Sequence, residues 1–367
     1  MTQHRRTFLR QLSTLGLMGA VPGRLFSGQA DVPQTDVRQA SFAGEKNADD
    51  NKKIWACLLH LSFNFAAGIK KYGGLRTEFE PAEALWNDAL AKMASSGVNM
   101  VLINLDDSVR WDSHPEIALR NAWTPARLQQ ELDKIRRLGM EPIPMFNFST
   151  THDAWLGRYS RMVSTPTYYA VCRDLIAEAI ALFGQPRFFH LGMDEETAAH
   201  QRQFDYIVVR QNELWWGDFY YLIGEVEKGN ARPWIWSDYY WHNPETFLKK
   251  MPRSVLQSNW YYGEDFTMGN GAAKQGGDLT RTPVQAYIDL EANGYDQVPT
   301  ASNDQNNPKS IGNTVRFCDQ HIQDARLFGF LQTFWKPTIE EYRKLILEGI
   351  ELTGEAEKWY NGHHGKS

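Results

Sequence analysis

From residue 54 onward, hydrophobic residues fall in short unbroken runs separated by longer stretches of mixed polarity. The runs are 54–61 (IWACLLHL), 98–105 (VNMVLINL), 141–147 (EPIPMFN), 187–193 (RFFHLGM), 233–237 (PWIWS), 254–260 (SVLQSNW), 296–301 (DQVPTA) and 328–334 (FGFLQTF). Short runs that are apolar at nearly consecutive positions read as strands buried on both faces, which means a parallel sheet covered by helices. The stretches between them carry helix punctuation. Thr124-Pro125 and Thr165-Pro166 each supply an N-cap and a first-turn proline, and Gly139 and Gly184 close those helices. Pro81 opens a helix that ends before Gly97, and a last helix is expected from about Thr338 to Leu352. Eight strand–helix units between residues 53 and 355 predict an α/β fold, a single (β/α)8 TIM barrel. A doubly wound sheet is the runner-up, but no glycine-rich phosphate loop follows the first strand.

The N-terminus reads differently. His4-Arg5-Arg6-Thr7-Phe8-Leu9-Arg10 precedes an apolar run from Leu12 to Val21, and Gly28-Gln29-Ala30 offers small residues for cleavage. That is the layout of an export signal of the twin-arginine type, over residues 1–30. It implies a periplasmic or extracellular protein. Residues 31–52 read as a polar linker and 356–367 as a polar tail. No other segment reaches membrane-spanning length.

Composition narrows the ligand. The 39 basic and 44 acidic residues nearly balance, which gives no electrostatic reason to expect nucleic acid or anionic lipid as a partner. Three widely spaced cysteines, Cys57, Cys172 and Cys318, suit buried free thiols better than a disulfide framework or a zinc site. The surplus is aromatic: 13 Trp, 15 Tyr and 19 Phe. Tryptophans beyond the needs of a core often line sites that stack flat apolar faces, and sugar rings are one such ligand.

Barrel chemistry sits at the C-terminal ends of the strands. After strand 4 comes His190-Leu191-Gly192-Met193-Asp194-Glu195-Glu196, three adjacent carboxylates whose mutual repulsion raises at least one pKa, as a general acid requires. Read as the acidic first turn of a helix, Glu195 and Glu196 need no catalytic role. After strand 2 come Asp106 and Asp107, followed by Arg110-Trp111 and His114-Pro115-Glu116; after strand 3 come Asn147 and His152-Asp153-Ala154-Trp155. Later strands end in Trp236-Ser237-Asp238, Trp260-Tyr261-Tyr262 and Trp335. An aromatic box facing carboxylates is the layout of a sugar pocket.

These residues resemble the family-20 β-N-acetylhexosaminidases. The family's His-x-Gly-x-Asp-Glu motif is matched by His190, Gly192, Asp194 and Glu195. Its Leu-Thr-Asp-Asp loop with later Trp, Arg and Pro-Glu is matched by Leu105, Asp106, Asp107, Arg110, Trp111, Pro115 and Glu116, with Arg and Trp in altered order. Its strand-3 His followed by Ala is matched by His152 and Ala154. The likeness is best over residues 54–200. It implies an exo-acting retaining glycoside hydrolase with Glu195 as general acid and then base. Asp194 would hold the substrate's 2-acetamido group, whose oxygen attacks the anomeric carbon, and His152 with Asp106 would tune Glu195. Asp107, His190, Trp236, Asp238, Trp260, Tyr261, Asn303 and Trp335 would bind the glycan.

The chain departs from the family at three points. Strand 1 reads His60-Leu61-Ser62-Phe63-Asn64-Phe65 where the family has an Asp and then an Arg that grips hydroxyls. Strand 8 reads Trp335-Lys336-Pro337 in place of Trp-x-Glu. The family's Tyr-x-Asp after strand 7 has no clear partner, and Asn303 or Asp304 is the nearest polar group.

Two further readings stay open: a retaining glycosidase of other specificity, with Asp304 or Asp238 as a separate nucleophile, and a carbohydrate-binding barrel without turnover. A metal hydrolase built on His60, His190 or His200 lacks both a His-x-His on strand 1 and a His-Glu-x-x-His helix. Neither a cofactor nor a metal is expected. The glycine-rich stretch 263–283 reads as a lid over the site or as a plain insertion.

Overall fold

The computed structural model describes residues 52–65, 74–80, 82–267 and 282–365. The export signal, all but the last residue of the linker and most of the glycine-rich stretch lie outside them. Eight strands are present among the described residues: β1 Ile54–His60, β2 Met100–Asn104, β3 Glu141–Met145, β4 Phe188–His190, β5 Arg232–Trp236, β6 Leu256–Ser258, β7 Thr300–Ser302 and β8 Gly329–Thr333. Every ladder is parallel, and the hydrogen-bonded order is β6-β5-β4-β3-β2-β1-β8-β7. Bridges Gln257↔Gln297 and Trp260↔Thr300 join the β6 and β7 edges. The Thr300 N–H donates to the Asn259 carbonyl at 2.9 Å across that seam. The fold is therefore a (β/α)8 barrel, with each strand sealed between interior and helices. All seven residues of β1 are buried, as a strand covered on both faces requires.

Helices α1 Glu83–Ser95, α2 Pro125–Arg137, α3 Pro166–Phe183 and α4 Asn212–Lys228 cover the first half of the sheet. The short α5 Tyr239–His242 and α6 Pro244–Lys250, then α7 Pro283–Ala292, α8 Ser310–His321 and α9 Arg343–His364, cover the rest. The Thr-Pro signals act as their chemistry dictates. Thr124, Thr165 and Thr282 accept the N–H of Arg127, Tyr168 and Gln285 at 3.2, 3.3 and 3.1 Å, and each is followed by the proline that opens its helix. Gly184 ends α3 in the left-handed conformation. The three cysteines are free and buried. No helix among the described residues is long and apolar enough to cross a membrane.

Two elements differ from the sequence reading. Regular pairing in β7 begins at Thr300, and only Gln297 bridges both neighbours before it. Pro299 lies between them; it has no N–H to give a ladder, and its carbonyl accepts from Leu331 N at 3.0 Å. The last helix begins at Arg343 and runs through the expected polar tail to His364. Thr338 is occupied elsewhere, its N–H and hydroxyl both donating to the His60 carbonyl at 3.0 and 2.9 Å. The tail is helical because Ala356 and Tyr360, four residues apart, bury one face, and Tyr360 packs on Trp55 and Phe330.

Candidate active site

Beyond β4 the chain turns sharply. Gly192, Met193 and Glu195 adopt φ of 71°, 73° and 53°. A Cβ on Gly192 would collide with Asn147, so only glycine lets that amide lie alongside. Left-handed backbone at a side-chain-bearing residue costs about 1–3 kcal/mol and persists only where neighbours hold it. At Glu195 the holders are visible: its N–H donates to Asp238 Oδ2 at 2.7 Å, and its carbonyl accepts from the Thr151 hydroxyl and the Thr197 N–H, both at 2.8 Å. Asp106 and Trp335, at the ends of β2 and β8, are strained in the same sense, with φ of 40° and 45°.

Asp194 and Glu195 meet at His152. The imidazole Nε2 lies 3.4 Å from Asp194 Oδ2 and 3.3 Å from Glu195 Oε2. Asn147 Nδ2 donates to Asp194 Oδ1 at 3.0 Å, and the Ser149 hydroxyl donates to the Asp194 carbonyl. His200, six residues past Asp194, brings its Nε2 to 3.6 Å from Glu195 Oε1. Burial disfavours both charges of the His152–Asp194 pair. Their mutual attraction wins, holding His152 well above the usual histidine range and Asp194 below the usual carboxylate range. Burial first, and then the charge of Asp194, pushes the Asp238 carboxyl well above the usual carboxylate range.

The floor of the site is neutral. Burial lowers the pKa of both His60 and His190 to about 3. The Gly192 N–H donates to His190 Nδ1 at 3.1 Å; a backbone amide can only donate, so the His190 proton sits on Nε2. Asn104 Nδ2 faces His60 Nδ1 at 3.1 Å and puts the His60 proton on Nε2 in the same way. His60 Nε2, His190 Nε2 and Trp236 Nε1 are buried donors without a partner among the described residues, and Asp106 Oδ2 and Asp238 Oδ1 are buried oxygens in the same condition. Such unmatched groups at one barrel end are what a polar ligand would satisfy.

An aromatic wall completes the pocket. Trp335 lies 5.6 Å from Trp236 and 5.5 Å from His60, centroid to centroid, and His190 lies 4.3 Å from Trp236. Trp335 Nε1 donates to the Tyr262 hydroxyl at 2.9 Å, and Tyr262 stacks on Trp260 at 5.1 Å. Phe65 lies 5.2 Å from His152.

Five sequence expectations change here. Tyr261 turns away: its hydroxyl donates to the Asp265 carbonyl at 2.9 Å and its ring meets Phe266. Tyr262 takes the place in the wall, because residues two apart share a side of an extended chain and Trp260 already faces the site. That alternation was readable in Trp260-Tyr261-Tyr262.

Asn303 is not free to meet a ligand. Its amide donates to the Leu345 carbonyl at 2.9 Å and accepts from Gln332 at 3.0 Å, tying β7 to α9. Asp107 spends its oxygens on the Ser62 hydroxyl and on Asn64 Nδ2, the latter at 2.7 Å, and burial lifts its pKa to about 6. Asp106 makes no hydrogen bond to His152; it accepts from the Asn147 N–H at 3.3 Å, with its other oxygen unmatched. Glu196 leaves the site for a buried pair with Arg210 at 2.6 Å, joined by Trp215 at 3.0 Å. Sequence reasoning also passed over Arg210, Tyr262 and the Asp238–Glu195 bond.

No family model matches the sequence, and no curated protein matches it. Solved structures do match in shape. The pneumococcal virulence factor StrH, described for N-glycan recognition and hydrolysis, aligns with TM-score 0.56 at 13% identity over 86% of this chain and 87% of its own. Dispersin B aligns with TM-score 0.53 at 14% identity over 83% of this chain and 98% of its own. Flavobacterium johnsoniae chitobiase, a glycoside hydrolase family 20 structure, aligns with TM-score 0.55 at 15% identity over 84% of this chain and 51% of its own. The chain thus has the barrel fold of solved family-20 glycoside hydrolases, in line with the resemblance carried by its strand-end residues.

Proposed function

We propose that this protein is an exported, exo-acting glycoside hydrolase of the β-N-acetylhexosaminidase type. The observation that carries the reading is one imidazole, His152, set between Asp194 and Glu195 at 3.4 and 3.3 Å. Glu195 gives its proton to the glycosidic oxygen as the bond to the anomeric carbon breaks. The substrate's acetamido oxygen closes on that carbon, and the charge developing on the acetamido nitrogen is met by Asp194, which the His152 imidazolium keeps ionised. Water then attacks the anomeric carbon, Glu195 takes its proton, and the acetamido oxygen leaves. This is retention without an enzyme nucleophile, a known exception to the two-carboxylate scheme.

The alternative nucleophiles are poorly placed. Asp238 is engaged on the Glu195 N–H, and burial pushes its carboxyl well above the usual carboxylate range. Asp304 accepts from the Ser302 hydroxyl at 2.8 Å, and burial raises its pKa. The export reading rests on Arg5-Arg6 and the apolar run that follows them.

A panel of aryl β-glycosides, with and without the 2-acetamido group, tests the reading. Turnover confined to 2-acetamido substrates, with competitive inhibition by a sugar thiazoline, supports it. Equal turnover of both sets, or a fluorosugar adduct on Asp238 or Asp304, overturns substrate assistance. Saturable glycan binding with no turnover would leave a binding barrel. Arg5→Lys together with Arg6→Lys should leave the protein in the cytoplasmic fraction.

A further inference from the structure

The contacts around Glu195 have the wrong lengths for shared protons. His152 Nε2 stands 3.4 Å from Asp194 and 3.3 Å from Glu195, and His200 Nε2 stands 3.6 Å from the other Glu195 oxygen. A charge-assisted N–H···O bond is about 2.7–2.9 Å, so the single Nε2 proton of His152 reaches neither carboxylate at bonding length. The two His152 spacings fit ligand atoms arranged around an ion. Zinc binds imidazole nitrogen and carboxylate oxygen at about 2.0–2.2 Å, and a tetrahedron of that radius has edges of about 3.3–3.6 Å. The ligand atoms of His152, Asp194 and Glu195 all lie within 4.8 Å of one another.

The groups behind these ligands are those a metal site uses. Asn147 occupies Asp194 Oδ1 at 3.0 Å and leaves Oδ2 toward His152. His200 Nε2, 3.6 Å from Glu195 Oε1, stands beside these ligands without joining them. We propose that His152, Asp194 and Glu195 form a binding site for one divalent transition-metal ion of the zinc class, with a water or ligand atom as the fourth partner, and that filling it removes the Glu195 carboxylate from acid–base work. Imidazole ligands select this class over Mg²⁺ and Ca²⁺, which take oxygen. The geometry stands whether or not the protein is a hydrolase.

Calorimetric titration of the full chain with ZnCl₂ tests it. One ion should bind per chain, with release of the His152 proton, read as a heat that changes with the ionisation enthalpy of the buffer. Co²⁺ should give the strong visible bands of a four-coordinate site. His152→Gln and Asp194→Asn should each weaken binding tenfold or more, since loss of even an outer partner costs about 10–100-fold. Circular dichroism should show both variants folded. The exposed His363 and His364 beside Asp319 are the control, and His363→Asn with His364→Asn should leave the affinity unchanged. Absence of binding, or binding indifferent to His152→Gln and Asp194→Asn together, overturns the proposal. Because calorimetry needs no substrate, that outcome is distinct from a failure to find turnover.

Discussion

The two sides of the pocket are built on opposite principles. The side formed by the ends of β3, β4 and β5 concentrates charge: Asp194, Glu195 and His152 meet there, with Asp238 beneath. The side formed by the ends of β1, β6 and β8 is neutral and aromatic: His60, Phe65, Trp335 and Tyr262. Charge is tolerated on the first side because each group is compensated. Asp194 has Asn147 and His152, and the strained Glu195 backbone has Asp238 and Thr151. On the second side burial has removed charge from His60 and left it an N–H donor, as it has for His190 at the end of β4 in the floor between the two. Reaction chemistry can therefore reside on one side while the other supplies shape and hydrogen bonds.

That contrast can be broken most sharply at Glu195. Glu195→Gln should lower kcat by about 10²–10⁴-fold on substrates with poor leaving groups, the usual range for general acid catalysis, and much less on activated aryl glycosides. An equal loss on both would place Glu195 outside acid catalysis.

The next effect reads stability at the neutral floor. His60 and His190 titrate near 6.5 when unfolded and near 3 when folded, so the unfolded chain gains protons that the folded chain refuses as pH falls below 6.5. Each histidine then costs stability, on the order of 2 kcal/mol at pH 5. His190→Gln should therefore narrow the stability lost by the wild type between pH 7 and 5, as measured by urea unfolding at both pH values. Parallel curves would show that His190 is not held neutral.

Asp238 separates positioning from nucleophilic attack. Asparagine mimics a protonated carboxyl and still accepts from the Glu195 N–H, so Asp238→Asn should stay within a few-fold of wild-type kcat. Asp238→Leu leaves that N–H unmatched and the strained backbone unsupported, at a cost of about 1–3 kcal/mol, or about 5–150-fold in kcat. Abolition by Asp238→Asn would instead make this residue the nucleophile. Smallest is Tyr262→Phe, which removes the acceptor of Trp335 Nε1. A loss of about 1 kcal/mol should appear as a several-fold rise in KM with kcat preserved. No change would detach the wall from substrate binding.

Much of this contrast was legible before folding. Consecutive apolar runs announce a parallel barrel, and the barrel rule then picks out Asp194, Glu195, His152, Trp236 and Trp335 by position alone. Tyr262 was also within reach, since it shares the parity of Trp260. Asn303 was not, because its amide is consumed by Leu345 and Gln332, partners 42 and 29 residues away. Nor could Glu196 be separated from its neighbours without Arg210, whose buried guanidinium draws it out of the site.

By itself, then, the sequence determined what local chemistry controls: where strands and helices begin, how threonine and proline cap them, and which residue types stand at strand ends. Only the tertiary structure decided which of those groups meet, which are spent on packing, and which protons they hold. The reason is physical. Helix and strand signals act over a few residues, whereas burial, ion pairing and the long bond from Glu195 to Asp238 depend on segments brought together by barrel closure.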